Sequence, residues 1–291
     1  MKPLVYVITI NYNSAQHTVE MVNNLVESYY DNLKIIVVDN CSEQNDLDKL
    51  KEITDRATII RSETNTGFAG GNNLGIKLAM DEDADYVLLL NNDTVVEKNA
   101  ISILVSKLEE GNASVACPKI LNYYDRRIIN YAGGDIVSYK GAVRIDGIGQ
   151  VDNGIFNKER NVTFAHGCCM LIAADTIRKV GYMTEDYFLY FEDTDYSARL
   201  TRQGEKIIYC PDAVIYHKES VSTDKFSDNY QFYFCRNRML FTKRNIALSV
   251  KYVAYLYSLM YMIKHLAKGD FKLQNITDAL KAFVSNNTGK R

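Results

Sequence analysis

Along the first 120 residues, short runs rich in Val, Ile and Leu alternate with stretches whose apolar positions recur every three to four residues. That alternation predicts βα units around a mostly parallel sheet. Strands are expected at Leu4–Ile10, Lys34–Asp39, Thr58–Arg61, Asp85–Asn91 and Val115–Pro118. Ser14 is placed to cap the helix after the first strand. Gly70-Gly71-Asn72-Asn73 is expected to open another helix, running to about Met80. From Ile128 to Phe164 the periodicity weakens and Gly133, Gly134, Gly141, Gly147 and Gly154 punctuate it, so loops and short strands are expected there. Short helices at Asp175–Val180 and Glu192–Gln203 follow, with short strands at Lys206–Tyr209 and Ala213–Tyr216. The expected organisation is one α/β domain over residues 1–240 and a helical extension over 241–291.

Composition changes this picture in one respect. The 291 residues carry a formal net charge of -2, which gives no whole-molecule case for nucleic acid as a partner. The average conceals a basic end, because residues 236–291 hold 11 Lys or Arg against 2 Asp or Glu. An acidic body with a basic tail predicts different partners for the two ends. The six cysteines form no C-x-x-C pair and read as reduced core thiols. Met1–Thr9 runs straight into a strand without a signal peptide's longer apolar region, so a cytoplasmic protein is expected.

Four polar clusters stand at or beyond the carboxyl ends of predicted strands, the edge where open α/β sheets bind ligands. They are Thr9–Asn13, Asp39–Ser42, Asn65–Asn72 and Asn91–Asp93. Each alone reads as a turn, since Asn, Asp and Gly are turn formers; four on one rim favour a site. The glycines of the third cluster would let backbone N–H groups approach a phosphate at a helix N-terminus. Its spacing is not G-x-G-x-x-G and it follows the third strand, which disfavours a dinucleotide-binding oxidoreductase. Asp93 has two equal readings: a carboxylate for a hard divalent ion, or an N-cap for a helix starting near Val96. Later, the aromatic run Tyr187–Phe191 ends in Glu192, Asp193 and Asp195. A helix N-terminus and an i,i+4 pair with Arg199 account for Asp195. Acids against an apolar wall suit a general base, whose proton affinity desolvation raises. His217 alone carries little weight.

Taken together and in order, these pieces resemble the inverting family-2 glycosyltransferases of the GT-A fold, in particular bacterial rhamnosyltransferase-like members. The matching runs are Thr9–Ser14, Val37–Ser42, Asn65–Asn73, Leu88–Thr94, His166–Ile172, Phe188–Asp195 and Cys235–Arg238. The resemblance covers roughly residues 4–245 and implies a Rossmann-like central sheet. It implies a nucleoside diphosphate sugar as donor, either a deoxythymidine diphosphate rhamnose or a uridine diphosphate sugar. Asp39 would then accept a hydrogen bond from the pyrimidine, with Thr9 and Asn11 lining the nucleoside pocket. Asn65 and the turn from Gly67 and Phe68 to Gly71 and Asn72 would pack along the nucleotide and sugar. Asn91, Asn92 and Asp93 occupy the family's D-x-D segment, with Asn91 in place of its first acid. Asp93 and His217 would hold Mn2+ or Mg2+. His166 and Gly167 would lie on the side of the saccharide acceptor, and Asp193, paired with Glu192, would be the catalytic base. The rival reading is a sugar-nucleotide-binding protein without catalysis.

In the extension, Ile246–Ala267 is rich in Tyr, Leu and Met, but its uncharged run, Tyr252–Ile263, is shorter than the ~20 residues a spanning helix needs. Tyrosines with marginal lysines suit a helix lying in a membrane interface, where the acceptor would be lipid-linked. Packing on the catalytic domain, or on a second copy in a homodimer, is the competing expectation.

Overall fold

A computed structural model describes residues 2–218 and 226–291. The chain opens with β1 (Val5–Asn11), α1 (Ala15–Val26), β2 (Leu33–Asp39), α2 (Gln44–Lys49), β3 (Thr58–Arg61), α3 (Gly67–Asp81) and β4 (Tyr86–Leu90). These form a parallel sheet in the order β3-β2-β1-β4. All five residues of β4 are buried, as expected of a strand covered on both faces. Beyond β4 come β5 (Thr94–Val96), α4 (Ala100–Glu109), β6 (Val115–Asn122), β7 (Ile129–Tyr131), β8 (Gly134–Val137), β9 (Ala142–Ile145) and β10 (Arg160–Val162). The chain then forms β11 (Cys169–Ala173), α5 (Ala174–Val180), α6 (Glu192–Arg202) and β12 (Ile207–His217). Antiparallel β11 lies between β4 and β6 and extends the sheet to β12 and β10, while β8 and β9 make a separate hairpin. The result is the expected α/β, mostly parallel central sheet.

Long-range pairing revises three local expectations. The two short strands predicted around Pro211 are one strand, β12, whose register shifts between Cys210 and Val214. A proline cannot donate to a ladder, so the irregularity falls there. The helix expected from Val96 begins at Ala100 instead, because Thr94–Val96 pairs with Ile215–His217. That pairing removes the capping reading of Asp93 and sets Thr94 opposite His217. Ser14 occupies the N-cap position of α1, but its side chain caps nothing; its hydroxyl accepts from Asn92 Nδ2 at 2.7 Å.

The last three helices are α7 (Asp228–Asn245), α8 (Leu248–Ala267) and α9 (Leu273–Val284). Helix α7 runs through residue 240 and carries the buried polar run Arg236, Asn237 and Arg238. A cluster around Phe232, Tyr233, Met262 and Ile276 joins the three helices to the aromatic turn before α6. Five of the six cysteines are buried and all are free.

Candidate active site

The adjacent carboxyl ends of β1, β2 and β4 form the floor of a cleft of about 1330 Å³. Into its wall the fold brings Asn65, Gly67, Phe68, Asn72, Asn91, Asn92, Asp93, His166, Gly167, Glu192, Asp193 and His217. The remaining expected residues, Thr9, Asn11, Asp39 and Gly71, are not part of that wall. Thr9, Asn11 and Asp39 are fully buried. Asn11 is turned inward because its amide faces Asp39 Oδ1 at 3.0 Å, Ser42 Oγ at 3.0 Å and Asp46 Oδ2 at 2.8 Å. The backbone N–H of Ser42 donates to the other Asp39 oxygen at 3.3 Å. These groups brace the floor from below. Gly71 faces the Ile10 side chain, where an added Cβ would stand 3.0 Å away.

Beside this floor, Asn40 organises the turn into α3. Its Oδ1 accepts from the Thr66 backbone at 3.0 Å and its Nδ2 donates to the Gly67 carbonyl at 3.0 Å. Asn65 Oδ1 accepts from Gly67 N at 2.9 Å. Gly67 has φ +74°, and a Cβ there would lie 2.2 Å from the Phe188 carbonyl oxygen. Only glycine permits both the left-handed backbone and that approach. Phe68 N donates to the same carbonyl at 2.8 Å, joining the α3 turn to the aromatic segment.

The β5–β12 pairing sets Asp93 Oδ1 3.1 Å from His217 Nε2, and Asn91 Nδ2 lies 3.4 Å from that nitrogen. Burial of His217 opposes its positive charge, but Cys168 and Asp93 outweigh it and hold its pKa well above the ordinary value. No cluster of three or more His, Cys, Asp or Glu able to hold a metal occurs among the described residues.

Opposite stands the N-terminus of α6. Asp193 Oδ2 accepts from Gly167 N at 3.0 Å, and its Oδ1 accepts from Thr194 N at 2.6 Å. A Cβ on Gly167 would stand 3.3 Å from Asp193 Oδ2, so this glycine lets the carboxylate reach the backbone. Glu192 is 6 % exposed and its Oε2 has no hydrogen-bond partner. Burial first, and then the neighbouring Asp193, raise its pKa well above the usual carboxylate range. Asp195 is structural: it accepts from Tyr187, Thr184, Asn245 and Arg199, the last at 3.1 Å.

Sequence reasoning gave no role to the Cys235–Arg238 run, and the structure supplies one. The preceding turn is strained, with Phe188, Tyr190 and Phe191 at φ 61°, 67° and 72°. Asn237 Nδ2 donates to the carbonyls of Tyr187, Leu189 and Tyr190 at 2.7, 2.7 and 2.9 Å. The Arg236 guanidinium adds a 3.1 Å bond to the Tyr187 carbonyl. A run of charged and amide residues between the apolar segments Phe232–Cys235 and Met239–Phe241 was the available signal.

This chain belongs to glycosyl transferase family 2, whose model matches residues 6–181. It is 27 % identical over 253 residues to the low-salt glycan biosynthesis hexosyltransferase Agl10 of Haloferax volcanii, covering 86 % of this chain and 78 % of that one. Over 266 residues it is 23 % identical to the dTDP-rhamnosyl transferase RfbF of Shigella flexneri, covering 88 % and 86 %. Its fold matches that of the mannosyltransferase PcManGT of Pyrobaculum calidifontis, solved with GDP-Man and Mn2+, at a TM-score of 0.62. That match spans 98 % of this chain and 76 % of the other at 15 % identity. The fold is GT-A and the protein is a glycosyltransferase that takes its sugar from a nucleotide donor.

Proposed function

We propose that this enzyme inverts configuration at the transferred sugar, with Asp193 as the base. Asp193 takes the proton of an acceptor hydroxyl as that oxygen attacks the anomeric carbon, and the nucleoside diphosphate leaves from the opposite face. The observation that carries this reading is one cleft holding two acidic centres: Asp193, fixed by two backbone N–H groups, and the Asp93–His217 pair. Backbone donors on Asp193 keep its carboxylate aimed, as general-base catalysis requires. Asn65, Gly67, Phe68, Asn72, Asn91 and Asn92 are the residues we assign to the donor, and His166 and Gly167 to the acceptor side. Asp39, Asn11, Thr9 and Gly71 act beneath them by holding the floor.

Asp93 and His217 offer one oxygen and one nitrogen donor side by side, with the Asn91 amide adjacent. That set fits a Mn2+ or Mg2+ ion that completes its shell with phosphate oxygens and water. When bound, such an ion offsets the charge gathering on the leaving diphosphate. For the donor we favour deoxythymidine diphosphate rhamnose, on the similarity to the dTDP-rhamnosyl transferase, with a uridine diphosphate sugar as the other candidate. The acceptor we assign is a saccharide of a growing cell-surface glycan.

Asp193→Asn tests the reading. Its turnover is expected to fall ~10²–10⁴-fold, while nucleotide binding, followed by thermal shift, stays close to wild type. Wild-type turnover in that variant rules out Asp193 as the base.

A further inference from the structure

Helix α8 has two unlike sides. Ala254, Ser258 and Met262, four residues apart, form its buried stripe. Arg238 Nε holds Ser258 Oγ at 3.1 Å across that contact. On the other side, Leu248, Tyr252, Leu256, Leu259, Met260 and Ile263 are exposed, from 37 % for Leu259 to 74 % for Tyr252. Their spacing places them on one face, away from the buried stripe. Isolated exposed apolar side chains are ordinary, but a contiguous row on one helix marks a surface that is covered in use.

Charge decides what covers it. Helix α8 contains no Asp or Glu, and Lys264 stands exposed beside Ile263. Lys268 continues as an exposed cation just past the helix end, while Lys272, next to Leu273, itself 60 % exposed, is paired with Asp228 at 2.7 Å. Residues 236–291 as a whole carry 11 basic against 2 acidic side chains. A second copy of the chain docking through this face would bring like charges together, whereas an anionic lipid surface complements them. No helix among the described residues is long and apolar enough to cross a membrane. The chemistry left is that of a helix lying flat, apolar side down, at the level of the lipid headgroups.

We propose that α8 docks the enzyme on an anionic bilayer, with Leu256, Met260 and Ile263 entering the headgroup boundary and Lys264 and Lys268 meeting lipid phosphates. The inference does not depend on the catalytic assignment, because it can be read without turnover.

The test is flotation of the full chain with vesicles of phosphatidylcholine, alone or mixed with phosphatidylglycerol, at low and high salt. Binding is expected on the mixed vesicles at low salt and is expected to weaken at high salt, as screening demands. Leu256→Gln with Met260→Gln is expected to lower the partition coefficient at least about tenfold, since each loses buried apolar surface. Both positions are exposed, so thermal melting and nucleotide binding of that variant should match wild type. Lys264→Glu with Lys268→Glu should remove the preference for phosphatidylglycerol. Absence of binding to mixed vesicles at low salt overturns the proposal, and so does equal binding to both vesicle types. A dimer in light scattering that the Leu256 and Met260 substitutions abolish, with no vesicle binding, assigns the face to a second copy instead.

Discussion

The two sides of the cleft are built by different physics. The side we assign to the nucleotide rests on local βα units, and its polar residues, Asn11, Asp39 and Ser42, satisfy one another within the floor. The side that carries the proposed base is an aromatic turn in left-handed backbone, held from outside by helix α7, which lies about fifty residues further along the chain. A sheet edge reproduces its own geometry through strand register, whereas a strained turn keeps its geometry only while its surroundings impose it. The lesson is that the turn leading to Asp193 depends on the C-terminal helices even though the family match ends at residue 181.

Removing the brace should separate the two sides most sharply. Asn237→Ala leaves the carbonyls of Tyr187, Leu189 and Tyr190 without that donor in a buried setting, a loss of about 3 kcal/mol of stability. The turn then relaxes and Asp193 loses its aim, so kcat is expected to drop at least about tenfold while the KM for donor barely moves. Asn237→Asp should fail to rescue, because a carboxylate would face three carbonyl oxygens. Equal losses in kcat and in donor affinity would show that the two sides are not separable.

A smaller effect is expected on the nucleotide side. Asp93→Asn keeps the shape of the β4–β5 turn but exchanges a carboxylate for an amide, a much poorer ligand for a hard cation. Nucleoside diphosphate should still raise the melting temperature, whereas the further rise given by Mn2+ should shrink, with metal affinity down at least about tenfold. If Mn2+ stabilises the variant as well as wild type, Asp93 is not its ligand.

The same contrast explains what could be read from the sequence. Strands β1 to β4 were legible because each is a short apolar run ended by a polar cluster, and parallel order follows from the intervening helices. The cleft's Asn65, Gly67 and Asp93 were legible as turn residues gathered on one rim. What escaped required knowledge of distant partners. Thr94–Val96 is a strand only because Ile215–His217 lies beside it, and that pairing is what brings His217 to Asp93. Asp39 and Asn11 stood out as polar residues at strand ends, but the side-chain network that ties them together in the floor is not visible in any local pattern. Nothing local ties Asn237 to the carbonyls before α6.

The finest probe of the Asp193 side is Glu192, next to the proposed base and largely desolvated. Its carboxyl holds a proton to a pH well above the ordinary 4.5, whereas in the unfolded chain it ionises there. Between those two values the native Glu192 binds more protons than it does in the unfolded chain, so its contribution to wild-type stability declines as pH rises through that window, by at most about 1.4 kcal/mol per pH unit. Glu192→Gln is neutral throughout and escapes this decline. Its melting temperature, relative to wild type, should therefore climb from pH 4.5 upward and level off once the native Glu192 ionises. A difference that stays flat with pH would mean that Glu192 is already charged in the folded protein, and that the wall beside Asp193 is wetter than its burial implies.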